Sequence, residues 1–306
     1  MSSVLVVGSV ALDSVETPFG KAEEVLGGSA TFFSASASLL APVQLVGVVG
    51  QDYPVERLDP LAQRGVDLSG LERADGESFH WRGRYRHDLN SAETIETRLG
   101  VFSHFRPKIP VQFRNAPFVF LGNIDPRLQL DVLQQVSKPR LVACDTMNFW
   151  IESRRSDILA LLSQVDMLTL NDAEARQLTE QVNLVKAAHW IMEHGPKHVI
   201  IKKGEHGAFM FTRSSVFYAP AYPLEEVFDP TGAGDAFAGG FIGYLARTGD
   251  LSEPNLKRAV VYGSAMGSFA VERFSITRFL EIGAEDIVKR VREFHRLVAF
   301  EEDLLR

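Results

Sequence analysis

A single cysteine, Cys144, stands among 306 residues, so no internal disulfide can form and a reducing cytoplasm is the expected compartment. No apolar run approaches the roughly 18 residues of a membrane span. The start, Met1-Ser2-Ser3-Val4-Leu5-Val6-Val7-Gly8, has neither a basic n-region nor a cleavage-like site, so neither secretion nor membrane insertion is expected. Basic runs are missing too. With 32 Lys and Arg against 39 Asp and Glu, the net charge of -7 argues against nucleic acid or an anionic membrane as partner. The sequence holds no Gly-x-x-x-x-Gly-Lys-Ser/Thr loop, no Gly-x-Gly-x-x-Gly after its first apolar run, and no protein-kinase or serine-hydrolase signature. His194 and His198 have the spacing of helical metal ligands, but Gly195-Pro196 between them breaks the helix.

What is present is a strand-helix rhythm. Apolar runs at Ser3 to Gly8, Val43 to Val49, Phe118 to Leu121, Leu141 to Cys144, Val165 to Leu170 and Val199 to Lys202 alternate with helical patterns such as Arg127 to Val136 and Leu184 to His194. Uniformly apolar strands joined by helices predict an α/β fold, a mostly parallel central sheet with helices on both faces. One segment differs in kind. Phe79, Trp81, Gly83, Tyr85 and His87 alternate with His80, Arg82, Arg84 and Arg86, the mark of an antiparallel strand with one covered face. Together with residues 14 to 26 and Glu93 to Phe102 it predicts a small sheet standing off the main body, serving as a lid or as a dimer contact through its aromatic face. The expectation is one domain over residues 1–306, with the lid at about 12–27 and 77–102.

Polar residues recur where the apolar strands end: Asp13 soon after the first, then Asn123, Asp145 with Asn148, Asn171 with Glu174, and Lys203-Gly204-Glu205-His206-Gly207. In an open α/β sheet these gather along one edge, where ligands bind. Asp13 there is either a hydroxyl-binding acid or a solvated loop acid, and Asn171 or Asp172 also suits a helix N-cap. Gly27-Gly28 before a helix of small residues permits close backbone approach to a ligand or between elements. The densest signal is Asp229-Pro230-Thr231-Gly232-Ala233-Gly234-Asp235, a turn stripped of side chains that feeds a helix. Its free N–H groups suit an anion, and Asp235 at the same end can take a proton from a hydroxyl beside it.

On these motifs the chain resembles the PfkB, or ribokinase-like, family of carbohydrate and nucleoside kinases, over nearly its whole length. Asp229 to Asp235 is similar to the family's C-terminal signature, and Gly27-Gly28 with the following helix to its N-terminal signature. Asn171-Asp172-Ala173-Glu174 resembles its Asn-x-x-Glu element, and Lys203-Gly204 to Gly207 its nucleotide-side turn. The resemblance implies a ribokinase-like fold with a β-sheet lid, ATP and Mg2+ as cofactors with room for a monovalent cation, and transfer of the γ-phosphate to a primary alcohol of a sugar or nucleoside. It implies that Asp235 is the base and that the N–H groups of Gly232, Ala233 and Gly234 hold the phosphoryl charge. Asn171, Lys203, Gly204, Gly207 and Thr231 would face ATP; Glu174 and Asn171 would orient the metal through water. Asp13, Gly27, Gly28, Thr31, Phe32 and Asn123 would meet the acceptor. One departure stands out: where many members carry an asparagine for sugar hydroxyls, this chain has Thr31-Phe32-Phe33, which suits either a stacked nucleobase or tighter helix packing. A homodimer through the lid is also expected. The competing reading is a ligand sensor on a kinase fold, which would be marked by a degraded Asp235 or anion turn.

Overall fold

The computed structural model describes residues 1–87, 89 and 92–299. Residues 88, 90 and 91 of the expected lid and 300–306 of the expected domain lie outside the described residues. In chain order the strands are β1 (Val4–Val7), β2 (Ala11–Thr17), β3 (Gly20–Gly27), β4 (Val43–Val49), β5 (Val66–Arg73), β6 (Phe79–Tyr85), β7 (Ala92–Arg98), β8 (Phe118–Leu121), β9 (Leu141–Asp145), β10 (Met167–Asn171), β11 (His198–Lys202), β12 (Ala208–Phe211) and β13 (Val216–Ala219). The helices are α1 (Ser29–Ala37), α2 (Asp59–Gln63), α3 (Pro126–Leu133), α4 (Asn148–Ser153), α5 (Arg155–Leu162), α6 (Asp172–Thr179), α7 (Leu184–Glu193), α8 (Ala233–Thr248), α9 (Glu253–Ala270), α10 (Thr277–Glu281) and α11 (Ala284–Val298).

Nine strands form the main sheet in the order β13-β12-β11-β10-β9-β8-β1-β4-β5. From β11 to β5 every pairing is parallel, while β12 and β13 fold back as an antiparallel hairpin. Both faces of β1 and β8 are buried, which explains their unbroken apolar runs. One face packs against α1, α8 and α9 through Phe33, Phe120, Phe241 and Met266; the other packs against α3, α5, α6 and α7 through Leu121, Leu161, Leu178 and Ile191. Cys144, fully buried in β9, has its thiol pushed up by that burial and is an ordinary core residue. Helices α1 and α8 approach closely: a Cβ on Gly239 would stand 2.4 Å from the Phe33 carbonyl oxygen.

The second sheet runs β3-β2-β6-β7. The alternation in β6 holds, with Arg82 and Arg84 exposed and Gly83 buried. Its pairing is only half as expected: β6 is antiparallel to β7 but parallel to β2, Ala11 lying opposite Phe79. The aromatic face also finds cover within the chain. Phe79 stacks on Phe102 at 5.3 Å, and the Trp81 ring folds over Gly83, where a Cβ would come within 2.2 Å of it.

Candidate active site

Parallel strands place their carboxyl ends on one edge, and the polar residues at those ends meet there. The register puts Asn171 of β10 beside Lys202 of β11. Gln129, buried in α3, ties two neighbouring strand ends together: its amide donates to the carbonyls of Leu121, Gly122 and Asp145 at 3.2, 2.8 and 3.0 Å.

The N-terminus of α8 closes the same edge. Gly232 takes a left-handed φ of 73°, and a Cβ there would stand 2.2 Å from the Phe32 ring, so only glycine fits. Of the three N–H groups expected to face an anion, that of Ala233 is spent on the Pro230 carbonyl at 3.2 Å, because the turn closes on itself. No acceptor among the described residues takes those of Gly232 and Gly234. Asp229 is buried and accepts from the Thr231 N–H at 2.9 Å, fixing the turn from beneath; burial raises its pKa.

Asp235, in the first turn of α8, is half-buried, and no other residue donates a hydrogen bond to its carboxyl among the described residues. Burial and the nearby Asp145 push it up to about 7, while Lys202 pulls it back. Lys202 Nζ lies 2.9 Å from Asp145 Oδ2, with only 16% and 7% of the two side chains exposed. Burial alone would lower the lysine, but Asp145, Glu174 and Asp235 raise it instead. Asn171 and Glu174 form a reciprocal cap: the Asn171 side chain accepts from the Glu174 N–H at 2.8 Å, and Glu174 accepts from the Asn171 N–H at 2.7 Å. Burial and Asp145 push Glu174 up to about 7, against Lys202. One Glu174 oxygen thus remains outside the cap. No group of three or more His, Cys, Asp or Glu side chains able to hold a metal occurs among the described residues. The free Glu174 oxygen is a single hard donor, of the kind that Mg2+ takes alongside its own waters and phosphate oxygens.

Among the residues expected to meet an acceptor, Asp13 is 5% exposed and lies against Gly27, where a Cβ would clash with its carboxylate. Burial pushes it up to about 7, Asp229 and Asp235 adding repulsion and the Gly28 N–H opposing. Gly28 has φ 92° and passes close to the Ser9 carbonyl. Asn123 is half-buried, with its Oδ1 fully buried and without a hydrogen-bond partner. Thr31 and Phe32 lie inside the protein. Thr31 is fully buried beside Tyr53, Phe32 packs beneath Gly232, and Phe33 stacks on Phe120 at 4.5 Å. The aromatic pair thus serves the packing of α1, and neither ring presents an open face for a base. Thr231 donates its hydroxyl to Tyr85 of β6 at 3.3 Å, which brings the small sheet onto the turn; burial raises Tyr85 to about 12.

On the far side, the Lys203 N–H donates to the Gly207 carbonyl at 2.8 Å, and Gly204 and Gly207 take left-handed φ values of 53° and 85°. The Lys203 ammonium turns away over the Phe209 ring, at 5.9 Å. Lys202 is what sequence reasoning left out of the site; Asp145 was placed at the ligand edge but given no role. A lysine ending the apolar run Val199 to Lys202 was the available signal.

Comparison with known proteins gives this site its setting. The family described as pfkB family carbohydrate kinase matches residues 1–282. A cytidine kinase from Thermococcus kodakarensis is 31% identical over 259 residues, covering 83% of this chain and 92% of that protein. Two solved structures share the fold, each at 19% identity. A putative ribokinase II from E. coli in complex with ATP and Mg2+ has a TM-score of 0.80 and covers 96% of this chain and 100% of its own. A nucleoside kinase from Burkholderia thailandensis in complex with inosine has a TM-score of 0.77, covering 95% and 98%.

Proposed function

The chain belongs to the pfkB family of carbohydrate kinases, and from that premise we propose that it moves the γ-phosphate of ATP to the primary hydroxyl of a nucleoside. The observation that carries the reaction is Asp235: a carboxyl that takes no donor from another described residue, beside two N–H groups without an acceptor among the described residues and within electrostatic reach of Asp13. Asp13 and Asn123 would hold acceptor hydroxyls. As the acceptor oxygen attacks, its proton passes to Asp235, the new O–P bond forms, and the bond from the γ-phosphorus to the bridging oxygen breaks to release ADP. The N–H groups of Gly232 and Gly234 would meet the charge on the transferring group. Mg2+, held through water by Glu174 and Asn171, would supply charge neutralisation on the phosphates.

The choice of nucleoside over free sugar rests on the cytidine kinase relative and on a nucleoside kinase from Methanocaldococcus jannaschii. A ligand sensor has less support, since Asp235 and its turn are intact. We take the small sheet as a lid that excludes water, with Tyr85 touching the turn when it is closed. The exposed edge strand β7, with Ile95, is the surface we would assign to a homodimer. The deciding experiment is ATP consumption against cytidine, uridine, adenosine, inosine, ribose and hexoses, with and without K+. Turnover of a nucleoside is expected; turnover confined to ribose or a hexose would overturn the acceptor assignment.

A further inference from the structure

Resting on the kinase reading of this site, we propose that Lys202 is a catalytic residue whose ammonium meets the transferred phosphoryl group at the mouth of the Gly232–Gly234 turn, with Asp145 holding it there. Lys202 Nζ is 2.9 Å from Asp145 Oδ2 and 2.9 Å from the point where a Cβ on Gly234 would stand. The ammonium therefore lies against the backbone that offers the free N–H groups. Gly234, lacking a side chain, leaves its path open.

The donors of the ammonium separate this role from that of a strut between β9 and β11. Burying an ammonium is costly, and a single well-placed carboxylate is the usual compensation. Lys202 has Asp145 bonded to it and two further carboxylates, Glu174 and Asp235, close enough to raise its pKa. It is also the cation that acts on both Glu174 and Asp235. Of its three N–H donors Lys202 gives one, to Asp145, and none to Glu174 or Asp235 among the described residues. The donors left over can meet an anionic phosphoryl oxygen at the turn. Lysine suits this place because it is a point charge on a flexible stem, able to turn from a carboxylate to a phosphoryl oxygen. Lys202 keeps its proton throughout; the proton in motion runs from the acceptor hydroxyl to Asp235.

The test uses Lys202→Met and the double variant Asp145→Ala/Lys202→Met. The double variant leaves no stranded buried carboxylate at the pair and so guards against a folding defect. Turnover, both KM values, and the affinities for ADP and for a β,γ-methylene analogue of ATP are measured with Mg2+ present. In both variants kcat should fall at least 100-fold, acceptor KM should stay within threefold, and the preference for the triphosphate analogue over ADP should shrink at least tenfold. A strut would not move that last ratio. Turnover within threefold of wild type in either variant, or equal loss of both nucleotide affinities, would overturn the proposal alone. A wild type that phosphorylates no acceptor would overturn the kinase reading and this proposal together.

Discussion

Replacing Asp235 by Asn should cost activity and return stability, each with its own dependence on pH. The Asp235 carboxyl rises from an ordinary value of 3.8 to about 7, through burial first and Asp145 second. A carboxyl held higher in the folded protein binds its proton more tightly there, so the stability it contributes is fully present below about pH 4 and is lost as pH climbs to about 7. That change corresponds to about 4 kcal/mol as an upper bound. Half-exposure lowers it, and so does sharing with Glu174 and Asp13, which sit near 7 in the same cluster; about 1–2 kcal/mol remains. In urea unfolding, Asp235→Asn should therefore exceed wild type by about 1–2 kcal/mol at pH 8, with the gap less than half as large at pH 5 and closed below about pH 4. The same variant should lose about 10²–10⁴-fold in kcat while still binding ATP. In wild type, kcat/KM should fall about tenfold per pH unit below about 7. Near-normal turnover, or a stability gap equal at pH 5 and pH 8, would refute the reasoning.

Gly232→Ala should lower both melting temperature and kcat, since φ of 73° costs a non-glycine residue about 1–2 kcal/mol and the new methyl meets the Phe32 ring. Adding Phe32→Leu should recover part of the melting temperature, and no recovery would count against that contact. Asp13→Asn should raise acceptor KM about 10–100-fold, as expected for a lost bond to a charged group, with the KM for ATP within twofold. Gln129→Leu leaves three carbonyls without their donor and should cost about 2–3 kcal/mol in urea unfolding, the melts at pH 7 being the check. Tyr85→Phe removes one neutral hydrogen bond worth about 1 kcal/mol, so acceptor KM should rise a few-fold with kcat unchanged.

The main sheet was legible because strands such as β1 and β8 are buried on both faces and so have no polar alternation to confuse them. The helix start at Asn171 or Asp172 was legible from residue type, and the structure settles the cap on Asn171, with Glu174 completing it. Lys202 and Asp145 were harder to see. A lysine or an aspartate at a strand end reads alike whether solvated or buried, and only the order β9-β10-β11 brings these two within 2.9 Å. Phe32 was ambiguous for a related reason: its hydrophobicity promised burial or stacking equally, and the partner that decided it, Gly232, lies 200 residues away in the sequence. The parallel half of the pairing of β6 was likewise invisible, since alternation reports one covered face and says nothing of strand direction.

That parallel pair has a consequence for how the molecule acquires its shape. Aligning β2 with β6 closes a loop that holds β3, α1, β4, α2 and β5, and the sheet so formed carries β7 exposed along its whole length, while β1 and β8 are buried on both faces. The sheet should be among the last parts to form and the first to open, with backbone amides of β2 and β6 exchanging faster than those of β1 and β8. A bound acceptor under Tyr85 would slow that exchange. Ordering of the proposed lid would then be completed, in part, by the substrate it encloses.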